Sequence, residues 1–274
     1  TAPEHIVVGA GVQMLLEILC VLLKGRRTVS FPDGSFVQGS TVFAAHGYTV
    51  RTRYKDADII YVSPSHMNRQ GDVMPIQRRL ELCAHSADTG AVVIEDDFEN
   101  DFLYSSTPTP SLYALGSGNV YMGAFSALLL PGIRISFMVL SPALAAAYHQ
   151  MKDTFAQTAS KTEQIALCAY LRDGNMKSRT KKIRRLYTGK AKTLCALLAK
   201  ALPDHPVRVG ENGLQVQIET PMLPDSAPFE QAGLALYIVK EKSGKNLLVV
   251  SPSAVPADRL EEAALAVAAA LYKA

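Results

Sequence analysis

Short apolar runs rich in β-branched residues recur through the first half of the chain, most of them followed by a stretch with helical spacing. Ile6-Val-Val8, Thr28-Val-Ser-Phe31, Asp58-Ile-Ile-Tyr-Val62, Ala91-Val-Val-Ile94 and Val120-Tyr-Met122 are such runs. Strands without polar alternation are buried on both faces, and the helices that link them supply the cover. The pattern therefore predicts βαβ units around a mostly parallel sheet, an α/β fold. Helices are expected over 12–23, 35–46 and 75–86, the second ended by Gly47 and the third opened by Pro75. Strands are also expected at 48–53 and 135–140.

The second half reads differently. One long helix with a Ser/Thr-rich waist near 158–162 is expected over 142–172, and another over 176–201. After Pro203, short strands at 207–209, 214–218, 234–239 and 246–250 precede an Ala-rich helix over 257–273. This divides the chain into a large domain (1–141), long connecting helices (142–202) and a smaller C-terminal α+β domain (203–274).

With 48% apolar and 19% charged residues the chain is globular and far from disorder, and its net charge of +3 does not by itself point to nucleic acid or membrane. The longest near-apolar run, 14–23, contains Glu17 and is too short to cross a bilayer. No signal-peptide pattern opens the chain; a cytoplasmic protein is expected because its cysteines read as free thiols of a reducing compartment. From the abrupt start at Thr1-Ala-Pro-Glu4, directly before a strand, a fragment is expected. Cys20, Cys83, Cys168 and Cys195 lie in helix-like apolar stretches without a CxxC or a His at metal spacing. They are expected to be four buried free thiols, with no metal.

Five segments carry possible chemistry. Gly9-Ala-Gly11-Val12-Gln13 joins a strand to a helix, where backbone N–H groups can face a phosphate, although the turn can equally be structural. Asp96, in Glu95-Asp-Asp97, follows a buried strand at the end where α/β sheets hold ligands. It suits a metal, a protonated ring nitrogen or a solvated strand end. His66 and Asn68 follow another strand, and Phe36 follows the turn Pro32-Asp-Gly34, where it can cover a flat ring or sit in the core. The basic run from Lys177 to Lys192 is a solvated helix face or an interface to DNA or an acidic partner.

In order along the chain, Tyr61-Val-Ser-Pro-Ser-His66, Ile94-Glu-Asp-Asp-Phe-Glu-Asn-Asp-Phe102, Gly123-Ala-Phe-Ser-Ala-Leu-Leu-Leu-Pro-Gly-Ile-Arg134 and Lys181-Lys-Ile-Arg-Arg-Leu-Tyr187 resemble four motifs of one family. It is the aminotransferase-like domain of MocR-type regulators, a branch of the GntR family. There a DNA-binding winged helix is joined to a fold-type-I, pyridoxal-phosphate-dependent aminotransferase-like domain that senses an effector. The resemblance implies a fold-type-I architecture and a homodimer, with DNA read by an N-terminal domain absent from this chain. It implies that Gly11, Val12, Gln13, Ser126 and Arg134 hold the cofactor phosphate. Asp96 would meet the pyridine nitrogen, Phe36 would stack near the ring, Asn68 would approach the ring hydroxyl, and His66 would line the pocket.

The departures are equally specific. The lysine that forms the family's internal Schiff base falls at Ala127, its ring-contacting tyrosine at Phe98, and a phosphate-site threonine at Ala124. The link from Val50 to Asp58 is shorter than the family's. Without that amine there is neither covalent attachment nor a base at the substrate α-carbon. The implied function is an effector-sensing domain holding pyridoxal phosphate non-covalently, if at all. The alternative is a pyridoxal-phosphate-dependent aminotransferase carrying an engineered lysine-to-alanine change.

Overall fold

The computed structural model describes residues 1–97, 109–116, 118–240 and 244–274. These fall into two units, the first built from residues 1–67 and 74–179 and the second from 68–73 and 180–274, leaving aside residues outside the described ones. The division lies inside a helix, after Arg179.

In the first unit β1 (Ile6–Gly9) leads into α1 (Val12–Leu22), then β2 (Thr28–Phe31), α2 (Val37–Ala45), β3 (Thr49–Thr52) and β4 (Ile59–Val62). There follow α3 (Ile76–Thr89), β5 (Val92–Asp96), the short α4 (Leu112–Leu115), β6 (Val120–Ala124) and β7 (Ser136–Val139). The seven strands form one sheet in the order β1-β7-β6-β5-β4-β2-β3. Only β7 runs against its neighbours β1 and β6. The expected mostly parallel α/β sheet is present. Its core joins Leu15, Leu16 and Leu19 of α1 to Val29, Phe31, Ile59, Ile94, Met122 and Met138 of the strands. Each such side chain contributes about 1.5–3 kcal/mol by leaving water.

Parallel strands of one sheet are usually joined by a dozen or more residues with a helix. Here residues 53–58 alone carry the chain from β3 to β4, folded back along β2. Tyr54 N–H donates to Ser30 Oγ (2.9 Å), and Asp58 Oδ2 accepts from Arg27 N–H (2.8 Å), Thr28 N–H and Thr28 Oγ1 (both 2.9 Å). The short link of the sequence is thus a helix-free crossover, anchored at both ends.

The expected single helix over 142–172 is two helices, α5 (Pro142–Met151) and α6 (Lys161–Arg172). Ser, Thr and Gln side chains compete for backbone groups and break helices locally. Gln157 Oε1 accepts from Ala159 N–H (2.8 Å), and Ser160 caps α6 by accepting from Glu163 N–H (3.4 Å). Thr158 is drawn away altogether, its Oγ1 accepting from Ala10 N–H at 3.0 Å.

α7 (Asn175–Ala201) runs from the first unit into the second. In the second, β8 (Val207–Val209), β9 (Val216–Thr220), α8 (Ala227–Gln231), β10 (Tyr237–Lys240), β11 (Asn246–Val250) and α9 (Leu260–Leu271) follow. The strands form an antiparallel sheet in the order β10-β11-β9-β8, packed on Leu194, Leu198, Phe229 and Val267. All four cysteines are free, but only Cys20 is buried. Cys83 and Cys195 are half-buried, and Cys168 is exposed on α6, because that helix buries only Leu167.

Candidate ligand site

The sheet register assembles one rim. Gly9 of β1 pairs with Ser136, which pairs in turn with Ala124 of β6, and Met122 of β6 pairs with Asp96 of β5. The β1–α1 turn, the segment 125–135 and Asp96 therefore leave the sheet at the same end, the carboxyl end of its parallel strands.

Gly11 caps α1 with φ 95° and ψ 163°. A Cβ there would lie 2.1 Å from Nη2 of Arg134, so the guanidinium rests against the glycine backbone. Arg134 reaches it from a left-handed residue, φ 45°, at the end of a 3-10 turn (Pro131–Ile133). The Gly11 N–H is already spent on the Gly9 carbonyl (2.9 Å) and that of Ala10 on Thr158. Val12 and Gln13 open the first turn of α1, whose N–H groups have no acceptor within the helix. A cation beside unspent helix N–H groups is a cup for an anion. Ser126 and Ala127 occupy the turn after β6, Ser126 half-buried and Ala127 exposed. Arg179 holds that turn through the carbonyls of Leu128 and Leu129 (both 3.2 Å).

Asp96 is 5% exposed, so it is not a solvated strand end. Its Oδ2 accepts a hydrogen bond from the Tyr61 hydroxyl, while Oδ1 is buried with no hydrogen-bond partner. Burial pushes the carboxyl up to about 6, against the Tyr61 hydrogen bond, and the charge of Asp97 adds to the rise. Tyr61 itself is raised well above the usual phenol value, by burial and by Asp96. Phe36 stacks on Tyr61 with ring centres 5.3 Å apart, and Phe31 lies 4.9 Å from Tyr61 on β2. Phe36 is thus both part of the core and half-buried at its margin. Next to Asp96, Glu95 is wholly buried and pushed up to about 7 by that burial, with Arg79 3.6 Å away and Tyr113 N–H donating to it at 3.0 Å.

The remaining expected residues divide. His66 is half-buried in the turn after β4, its N–H donating to the Ser63 carbonyl (3.0 Å). Asn68 belongs to the second unit, and its side chain holds its own turn: Oδ1 accepts from Gln70 and Asp72 N–H, and Nδ2 donates to Asp72 (2.7 Å). Phe98 lies outside the described residues. Among the described residues no group of three or more His, Cys, Asp or Glu is placed to hold a metal. A cleft of about 520 Å³ in the second unit, lined by Asp72, Thr188, Lys192, Arg208, Glu211 and Gln217 among others, contains none of the expected site residues.

Sequence reasoning missed Tyr61, Thr158 and Arg179 as parts of this arrangement. For Tyr61 a signal existed: it stands in the Tyr61-Val-Ser-Pro-Ser-His66 motif, on an expected strand. Thr158 meets Ala10 across 148 residues, and nothing local announces it.

No protein-family model matches the chain. It is 30% identical over 233 residues to the uncharacterized HTH-type transcriptional regulator YdeL of Bacillus subtilis, an alignment covering 79% of this chain and 50% of YdeL. It is 28% identical to the probable rhizopine catabolism regulatory protein MocR of Rhizobium meliloti, over 79% of this chain and 47% of MocR. The chain thus spans about half the length of the curated relatives it matches. Its fold is similar to that of LysN, the α-aminoadipate aminotransferase of Thermus thermophilus, solved with N-(5′-phosphopyridoxyl)-L-leucine. The TM-score is 0.79 at 23% identity, over 100% of this chain and 78% of LysN.

Proposed function

We infer that this chain, a homologue of the MocR-type transcriptional regulators with the fold of the fold-type-I aminotransferases, is a ligand-sensing domain that binds without turnover. The observation that carries the reading is Ala127, a methyl group in the turn where the family resemblance puts a lysine, beside a retained anion cup.

The residues present fit pyridoxal phosphate. Arg134 and the first-turn N–H groups of α1 suit the phosphate, as the close seat of the guanidinium on Gly11 supports. The orphaned Oδ1 of Asp96 suits a protonated ring nitrogen, and Phe36 supplies an aromatic face. When bound, the cofactor supplies an electron-withdrawing ring that stabilises negative charge on a substrate carbon. This chain's residues bind and orient it, but Ala127 offers no amine to the aldehyde and no base to carry a proton. Ligand binding would act on a cytoplasmic homodimer, and DNA would be read by a helix-turn-helix in a part of the protein beyond this chain.

Titration of the purified chain with pyridoxal phosphate, alone and as Ala127→Lys, tests this. The wild type is expected to bind saturably without a new visible absorbance band, and the lysine variant to gain one. Absence of binding in both would reject the cofactor, and amino-acid turnover by the wild type would reject sensing without chemistry. The likeness to solved aminotransferases favours a second reading, an aminotransferase whose lysine has been replaced, and that reading requires turnover by Ala127→Lys.

A further inference from the structure

Tyr61 does more than fill a core strand. Its ring lies against Phe31 and Phe36 and is 2% exposed, so in a close-packed interior it cannot swing without displacing both. Its hydroxyl donates to Oδ2 of Asp96, and Oδ1 of the same carboxylate is buried without a partner. A donor fixed on one oxygen sets the plane of a carboxylate and leaves the other as the acceptor on offer. Burial beside Asp96 keeps the phenol protonated, so it donates throughout the neutral range.

We propose that Tyr61 is a positioning residue which, by holding Oδ2 of Asp96, commits Oδ1 to a ligand N–H and makes the site select heteroaromatic phosphates with a protonated ring nitrogen. The proposal rests on the pocket's reading as a pyridoxal phosphate site and adds what decides ring specificity. The groups acting on Asp96 are Tyr61 on β4 and Asp97 beyond the end of β5. With burial they leave the carboxyl at about 6, so it is anionic when a pyridinium-bearing ligand arrives at neutral pH.

The test measures affinity for pyridoxal phosphate from pH 5 to 9 in the wild type, Tyr61→Phe and Asp96→Asn, with inorganic phosphate as a probe of the cup alone. Wild-type affinity should fall on the acid side near pH 6, where Asp96 takes up a proton. Loss of one hydrogen bond to a charged group should weaken Tyr61→Phe about tenfold at pH 7.5 and move its acid limb up by about one pH unit. Phosphate affinity should stay unchanged. A Tyr61→Phe profile that superimposes on a binding wild type would overturn the role of Tyr61. A wild type that binds no pyridoxal phosphate would overturn the pocket's reading and this proposal with it. If Tyr61→Phe does not fold, the wild type still decides. It should bind pyridoxal phosphate at least about tenfold more tightly than the analogue with CH in place of the ring nitrogen, and equal affinities would refute the selection.

Discussion

Replacing Gly11 by alanine should separate the fold of the β1–α1 turn from the anion cup built on it. At φ 95° and ψ 163° the residue occupies backbone space that is essentially glycine's, and a Cβ there costs about 1–3 kcal/mol. For a unit of this size that lowers the melting temperature by about 2–4 °C per kcal/mol. The new methyl would also lie 2.1 Å from Nη2 and 3.0 Å from Cζ of Arg134. That side chain is exposed and flexible, so it swings aside at little cost to stability, but the cup loses its cation. A charge-assisted hydrogen bond is worth about 1.5–3 kcal/mol, so phosphate or pyridoxal phosphate affinity should fall roughly ten- to hundredfold. Calorimetric melting and a phosphate titration read the two effects separately. Gly9→Ala is the control: its Cβ would meet Leu15 Cδ2 at 2.9 Å, which strains the core and leaves Arg134 in place. A Gly11→Ala chain that melts with the wild type and binds phosphate as tightly would refute both the strain and the cup.

Two further outcomes follow from buried and clamped acids. Asp96 and Glu95 titrate at about 6 and about 7, above their usual 3.8 and 4.5, so the folded chain binds protons more tightly than the unfolded one. Their contribution is full below about pH 4 and is lost as pH rises through 6 and 7, worth about 3 kcal/mol for Asp96 alone. Denaturation midpoints should therefore fall between pH 5 and 8, and Asp96→Asn should flatten that slope; equal slopes would contradict the burial argument. Asp58 has the opposite sign: hydrogen bonds from the Arg27 backbone, chiefly, and from Thr28 hold its carboxyl below the usual value despite some burial. Its contribution is lost as pH falls through that lowered value, and Asp58→Ala should cost about 1–3 kcal/mol at pH 7 in urea unfolding, an unchanged midpoint counting against the clamp.

The sheet was legible because strands buried on both faces leave unbroken apolar runs, as in Ala91-Val-Val-Ile94 and Ile59–Val62, too short for helices and rich in β-branched residues. The placement of Asp96 at the carboxyl end of β5 was legible for the same reason. What escaped were features set by distant partners. The helix over 142–172 breaks because Thr158 serves Ala10, a contact no window of sequence contains. Phe36 reads as ring cover or core from sequence, and it is core as well because Tyr61 offers it a stacking face. Cys168 looked buried because its neighbours are apolar, yet Ile165 on the same helix is 72% exposed, so apolar spacing alone overstated the cover. α4 and α8, at four and five residues, are too short to show a period.

β3 bears on the behaviour of the protein in concentrated solution. It closes one side of the seven-stranded sheet, and its outer row of backbone groups is a template on which another chain's strand could pair. The strand is four residues long, and Thr49, Arg51 and Thr52 are exposed along it. A second strand docking there would have to strip water from the Arg51 guanidinium for the sake of a very short ladder. The crossover that omits a helix thus starts from an edge whose shortness and polarity disfavour strand pairing, with Arg51 as its gatekeeper.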